Sequence, residues 1–185
     1  RHQQATGFPR LRFAPDLEQS YRKTRASLIR QRARPVSIAG LILFLIYAAM
    51  DVLTLPAELA RVTVSIRLAI TCPVIAIVAW LAFRPAPSDR TFEQLYTLAY
   101  FLGGLSVIAI IGVARHMAFP LPYEGMILIL MFGYFAMGLP FISASLVSLA
   151  LVFSYFMTEL WSGMPGPAIM SNLFFLMTAN IIGMV

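Results

Sequence analysis

The apolar residues of this chain fall into long continuous runs, separated by short segments that contain proline or charged residues. A helix of roughly 20 apolar residues crosses the hydrocarbon core of a bilayer, and these runs approach or reach that length. The pattern therefore predicts an all-α membrane protein, with a bundle of six transmembrane helices within 35–185. The six predicted spans are about 36–55, 62–83, 93–113, 123–139, 141–161 and 168–185.

A different pattern precedes the first apolar run. Residues 1–15 contain Gly7, Pro9 and Pro15 among scattered charges, which predicts a disordered or extended tail. Residues 16–34 contain neither glycine nor proline, and basic residues surround a narrow apolar face. This segment is predicted to be a cytoplasmic amphipathic helix that lies on anionic headgroups, although a solvated basic helix that only orients the chain is an open alternative. The candidate headgroup-contacting residues are Arg22, Lys23, Arg25, Arg30, Arg32 and Arg34.

Composition supports the membrane interpretation. The chain is 59% hydrophobic and 12% charged, whereas soluble domains are about 45–50% apolar and about 25% charged. The net charge of +6 does not indicate a nucleic-acid partner, because nine of the 14 basic residues lie within the first 34 positions. Lys and Arg concentrate on the cytoplasmic side of membrane segments, so the amino terminus is expected in the cytoplasm. An even number of spans then places the carboxyl terminus there too.

Motifs of soluble enzymes are missing from the chain. There is no P-loop, GxSxG, HExxH or CxxC sequence. His116, Glu124 and Glu159 do not have the spacing of a metal site. We therefore predict no catalytic residue, no metal and no cofactor in this segment.

Ionisable residues inside or beside apolar runs are functional candidates, because burying charge in lipid is costly. Asp51 and Arg67 lie at similar predicted depths in neighbouring spans, and other charged residues lie at or just beyond that level. One hypothesis is an outward-facing polar pocket, in which Arg67 or Arg115 binds a carboxylate or phosphate and His116 responds to protonation. The alternative is a structural ion pair between Asp51 and Arg67, with the other groups in water. The candidate ligand-binding residues are Asp51, Arg67, Arg115, His116, Glu124 and Glu159.

Two short segments resemble a known family. They are Arg12-Phe13, Leu17-Glu18 and Tyr21-Arg22 before the first span, and Ala179 to Met184 in the last. Both resemble the six-helix regions that precede diguanylate cyclase (GGDEF) domains in bacteria, and related regions that precede class III adenylate cyclases. The apolar ending at Val185 predicts that the chain continues past this residue, on the cytoplasmic side if the number of spans is even. The resemblance implies that the continuation is a catalytic domain.

The resemblance implies a membrane sensor and dimerisation domain of the bacterial inner membrane, with both termini cytoplasmic. It implies a homodimer and an unknown small-molecule or lipid ligand, while GTP and Mg²⁺ would belong to the catalytic domain after residue 185. The last span would transmit the signal, with Asn180 and Gly183 as candidate output residues. Asn180 is expected to hydrogen-bond either across the dimer or within its own chain. The alternative functions are an adenylate cyclase membrane domain, a small transporter and an integral-membrane enzyme.

Overall fold

The computed structural model describes the backbone of residues 15–84 and 88–185 and the side chains of 24–84, 88 and 90–185. These residues form six helices and no strand. The helices are α1 (Pro15–Thr54), α2 (Ala57–Phe83), α3 (Asp89–His116), α4 (Glu124–Ala136), α5 (Phe141–Trp161) and α6 (Gly166–Met184). The all-α fold is therefore confirmed for the described residues. All helices except α4 are long and apolar enough to cross a membrane, as expected for a multi-pass membrane protein. Except for Pro15, the tail predicted over 1–15 lies outside the described residues.

Helix α4 is shorter than the span predicted over 123–139. It consists of an eight-residue α-helix followed by a five-residue wide turn, Phe132–Ala136, and is therefore about 20 Å long. Gly138 ends the helix with φ +65°, a conformation that favours glycine. Pro140 then precedes the first residue of α5. Five helices are thus long and apolar enough to span a membrane, and the sixth crossing stays a prediction.

Helix α1 continues through Pro35. The predicted boundary at this residue, between an amphipathic helix and the first span, is therefore absent. It has 40 residues, which corresponds to about 60 Å. Pro35 removes the hydrogen bond to the carbonyl of Gln31 and places its ring against that carbonyl, and Gln31 is an exposed residue. The preceding turns are held by packing, since Ile29 and Ala33 are buried. Burial of these side chains favours continuation of the helix over a break.

Helix α3 lies at the centre of the bundle. Half of its most apolar stretch is buried within the protein, a larger share than for any other spanning helix. It contacts α1, α2, α4 and α5, while α6 packs on α4 and α5. The other helices expose large apolar side chains outward, as expected for surfaces that face lipid.

The six helices alternate in direction, so the bundle has two distinct ends. We call the end with the α1–α2, α3–α4 and α5–α6 connections the hairpin end. The terminal end carries the α2–α3 and α4–α5 connections and both ends of the described chain. Contacts support this arrangement, since Arg32 of α1 reaches Gly138 and Gly183 of α6 lies against Tyr134.

Candidate functional site

Asp51 and Arg67 form a buried ion pair between α1 and α2. The Nε of Arg67 donates to Oδ2 of Asp51 at 2.8 Å, and its Nη2 donates to Oδ1 at 3.5 Å. Both residues are more than nine-tenths buried. The structure thus brings together the two ionisable residues whose depths the sequence matched.

Arg67 reaches its partner by extending along one face of α1. Counted from the helix ends at Thr54 and Ala57, its Cα lies about 10 Å farther from the hairpin end than that of Asp51. Its guanidinium carbon lies 5.9 Å from the ring centre of Phe44 and 5.4 Å from that of Tyr47. Phe44, Tyr47 and Asp51 have i, i+3 and i+7 spacing, so they line one face. The long side chain therefore carries its charge toward the hairpin end, as arginines in apolar surroundings commonly do.

A wide turn of five residues, Arg67–Thr71, begins at Arg67. Pro73 follows it closely, and its ring would clash with the carbonyl of Ala69 in a regular helix. Widening the turn relieves that clash, and the N–H of Cys72 bonds to the carbonyl of Arg67 instead. The proline downstream thus accounts for the local backbone from which Arg67 projects.

Arg115 and Glu159 form a second ion pair, between α3 and α5 near the hairpin end. Their closest atoms, Nε and Oε2, are 3.3 Å apart, and Glu159 is fully buried. Tyr155 lies one turn before Glu159 on the same helix, and its hydroxyl accepts a hydrogen bond from Asn172 of α6 at 3.0 Å. These polar groups connect three helices at one level of the bundle.

The six predicted ligand-binding residues are therefore divided. Four form the two ion pairs, on different helix pairs, whereas His116 and Glu124 are exposed. A groove of about 710 Å³ beside the second pair is lined by Arg115, His116 and Trp161, among others. Beside the first pair lies a crevice of about 70 Å³, lined by Arg67, Gly40, Tyr47 and apolar residues. The geometry thus supports a structural role for Asp51 and Arg67 and leaves an open groove at Arg115, whose lining is mostly apolar.

Both predicted output residues of α6 contact the same side chain of α4. The hydroxyl of Tyr134 donates a hydrogen bond to Oδ1 of Asn180, a fully buried residue. The ring of Tyr134 also occupies the space that a Cβ on Gly183 would need. Of the two alternatives for Asn180, the structure shows the contact within its own chain.

Four of the predicted headgroup-contacting arginines have described side chains, and these contact the protein at the terminal end. Arg25 pairs with Glu93 at 3.3 Å, and Arg30 lies over the ring of Phe92. The Nε of Arg34 donates to the carbonyl of Ala82, in the last turn of α2, at 3.0 Å. That bond satisfies a carbonyl which has no partner within its helix. Arg32 lies against Gly138. The side chains of Arg22 and Lys23 lie outside the described residues.

Three tyrosines that are not among the predicted site residues connect helices. Tyr134 contacts α6, Tyr155 bonds Asn172, and the hydroxyl of Tyr100 lies 2.8 Å from Oγ of Ser148. A sequence signal was present for Tyr155, because it lies four residues before Glu159, an ionisable residue in an apolar run. For the other two, the partner lies more than 40 positions away in sequence.

No group of three or more His, Cys, Asp or Glu side chains within the described ranges is placed to hold a metal ion. No protein-family model matches the chain, and no curated protein matches it at a significant level of similarity.

Proposed function

We propose that this chain is the membrane sensor and dimerisation domain of a bacterial signalling protein that regulates a cytoplasmic nucleotide cyclase. The output is proposed to be a diguanylate cyclase that joins two GTP molecules, with Mg²⁺, into cyclic di-GMP. The identity of the output rests on the resemblance of residues 12–22 and 179–184 to regions that precede such domains.

The observation that carries the proposal is the joint contact of Asn180 and Gly183 with Tyr134. A helix that only anchors the chain needs no polar, close-fitting contact so near its terminal end. Here a buried hydrogen bond and a glycine fix the rotation of α6 against α4. A change in this contact would rotate or shift α6, and with it whatever follows residue 185.

The chain is proposed to cross the bacterial inner membrane six times. Its terminal end would then face the cytoplasm. Basic residues support this orientation, since Arg25, Arg30, Arg32, Arg34 and Arg84 all lie at the terminal end. Helix α4 would complete its crossing with the adjoining connections, where apolar residues flank it on both sides.

A homodimer is part of the proposal, because a diguanylate cyclase needs two catalytic domains. Helix α6 offers a surface for it, since Met170, Phe174, Ile181 and Ile182 are exposed along its length. The ligand is proposed to be a small molecule or lipid that reaches the groove at Arg115 and His116 from the hairpin end.

The test uses the full-length gene product in native membranes. Incorporation of GTP into cyclic di-GMP supports the proposal, while cyclic AMP from ATP would identify an adenylate cyclase. Tyr134→Phe should change the product yield at equal expression, whereas Tyr123→Phe, in the connection before α4, should not. If membranes that contain intact protein make neither product, the cyclase proposal is overturned and the transporter alternative is favoured.

A second comparison tests whether signalling depends on the first ion pair. We expect Arg67→Ala to change signalling more than Arg84→Ala at equal expression, because Arg84 is exposed and lies over the ring of Trp80. Equal effects of both substitutions would contradict a signalling role for Arg67.

A further inference from the structure

We propose that the groove between α1 and the α4–α5 connection binds one anionic phospholipid of the cytoplasmic leaflet. The groove has a volume of about 830 Å³ and lies at the terminal end. Arg25, Leu28, Arg32 and Pro35 form one wall, and residues 138–142 form the other.

The depth of the groove matches a headgroup. Pro35 lies 20 positions before Leu55, where α1 has just ended, and this distance along a helix is about 30 Å. The hydrocarbon core has the same thickness. With the hairpin end at one surface, Pro35 is therefore at the opposite boundary of the core. Arg32 and Arg25 follow about 5 and 15 Å beyond it.

The chemical character of the groove changes along its length, as that of a phospholipid does. The four residues of α1 have i, i+3, i+7 and i+10 spacing, which places them on one helix face. Farther along the groove are the exposed apolar side chains of Phe141 and Ile142. The arginines can bind a phosphate, and the apolar residues can contact the glycerol and the first acyl carbons.

Charge determines which lipid is favoured. Glu93 is the sole carboxylate with a described side chain at the terminal end, and it is already paired with Arg25. Arg32 makes no ion pair with any side chain that the structure describes. The Nε and Nη2 of neighbouring Arg30 are buried and, within the described chain, have no hydrogen-bond partner. The groove therefore has an excess of positive charge, which favours an anionic headgroup over a zwitterionic one.

The groove is also connected to α6. Arg32 leans over the α4–α5 connection, where a Cβ on Gly138 would lie 2.7 Å from its Cδ and 2.9 Å from its Nη1. Tyr134, one turn earlier in α4, holds Asn180 of α6. A lipid phosphate that draws Arg32 away from Gly138 would free this connection. This regulatory step and the assignment to the cytoplasmic leaflet rest on the proposed function, whereas binding of an anionic lipid does not.

The test is competition between two lipids for the purified full chain. The protein is exchanged into detergent micelles that contain phosphatidylglycerol and phosphatidylcholine. The lipid molecules that each protein retains are then counted by native mass spectrometry. We expect retained phosphatidylglycerol in excess, and a loss of roughly five-fold in that preference for Arg32→Gln or Arg25→Gln. Arg90→Gln, at the same end but outside the groove, is the matched control and should keep the preference.

Two further arms make the result decisive. Arg32→Lys keeps the positive charge and should keep most of the preference, which separates loss of binding from loss of folding. Glycerol 3-phosphate carries the headgroup chemistry without acyl chains and should not displace the lipid. Any of three results would overturn the proposal. The first is displacement of the lipid by glycerol 3-phosphate, and the second is equal retention of phosphatidylglycerol by Arg32→Gln and Arg90→Gln. The third is no preference for phosphatidylglycerol in the unmodified protein. Because the assay contains no nucleotide, its outcome is independent of the cyclase proposal.

Discussion

The Arg67 guanidinium lies 2.8 Å from the Asp51 carboxylate, between two helices joined by a two-residue connection. Neither charge is stable alone in an apolar interior, so each residue depends on the other. The pair therefore links α1 to α2 at a defined rotation, close to the hairpin end. The aromatic rings of Phe44 and Tyr47 shield the arginine on its way to the carboxylate.

Removing one partner of this pair should cost far more than replacing both. We expect Asp51→Ala to lower the free energy of unfolding by about 3–5 kcal/mol, because it leaves Arg67 buried and unpaired. Asp51→Leu combined with Arg67→Met should cost much less. The measurement is reversible unfolding in mixed detergent micelles. Glu58→Ala, an exposed change near the same end, is the control, and additive single-mutant losses in the double variant would contradict this prediction.

The link between Tyr155 and Asn172 should contribute to the packing of α5 on α6. Tyr155→Phe removes the acceptor of the amide of Asn172, a half-buried residue, so we expect a loss of about 0.5–1.5 kcal/mol, the net contribution of an ordinary hydrogen bond. Adding Asn172→Leu should recover part of the loss, since it removes the unsatisfied donor. The same unfolding assay measures both. If Tyr123→Phe is as destabilising as Tyr155→Phe, the hydrogen bond is not the cause.

The contact between Gly183 and Tyr134 should be sensitive to a single methyl group. Gly183→Ala places a Cβ where the Tyr134 ring lies, so the ring must move and its bond to Asn180 is lost. We expect altered nucleotide output from the full-length protein at equal expression. Gly166→Ala, on the same helix with nothing within 4 Å of the added carbon, should leave output unchanged. Equal output from both variants would contradict a role for this contact in signalling.

Two adjacent glycines of α3 should differ sharply. A Cβ on Gly104 would overlap the side chain of Leu151, a fully buried residue of α5. Gly104→Ala should therefore cost about 1–3 kcal/mol through overpacking. Gly103→Ala meets nothing within 4 Å and should be neutral or slightly stabilising, because alanine favours helix. The Gly104→Ala penalty should largely vanish in a Leu151→Ala background, and an undiminished penalty there would locate the strain elsewhere.

The run pattern of the sequence by itself determined that the chain is helical and apolar enough to cross a membrane. Continuous apolar runs have one stable form in lipid, since each backbone group must be satisfied within its own segment. The sequence also paired Asp51 with Arg67, but the depths it assigned to them do not match, because α2 begins at Ala57 and not at residue 62. The long arginine side chain makes the contact possible.

Only the tertiary structure decided where helices continue or stop and which distant side chains meet. Pro35 did not break α1, because burial of Ile29 and Ala33 outweighs one missing hydrogen bond to an exposed turn. Glu159 meets Arg115 across 44 positions, and Asn180 meets Tyr134 across 46. Such pairs depend on which helices are neighbours and on their rotation. Both are set by the packing of many side chains at once, which no local pattern in the sequence encodes.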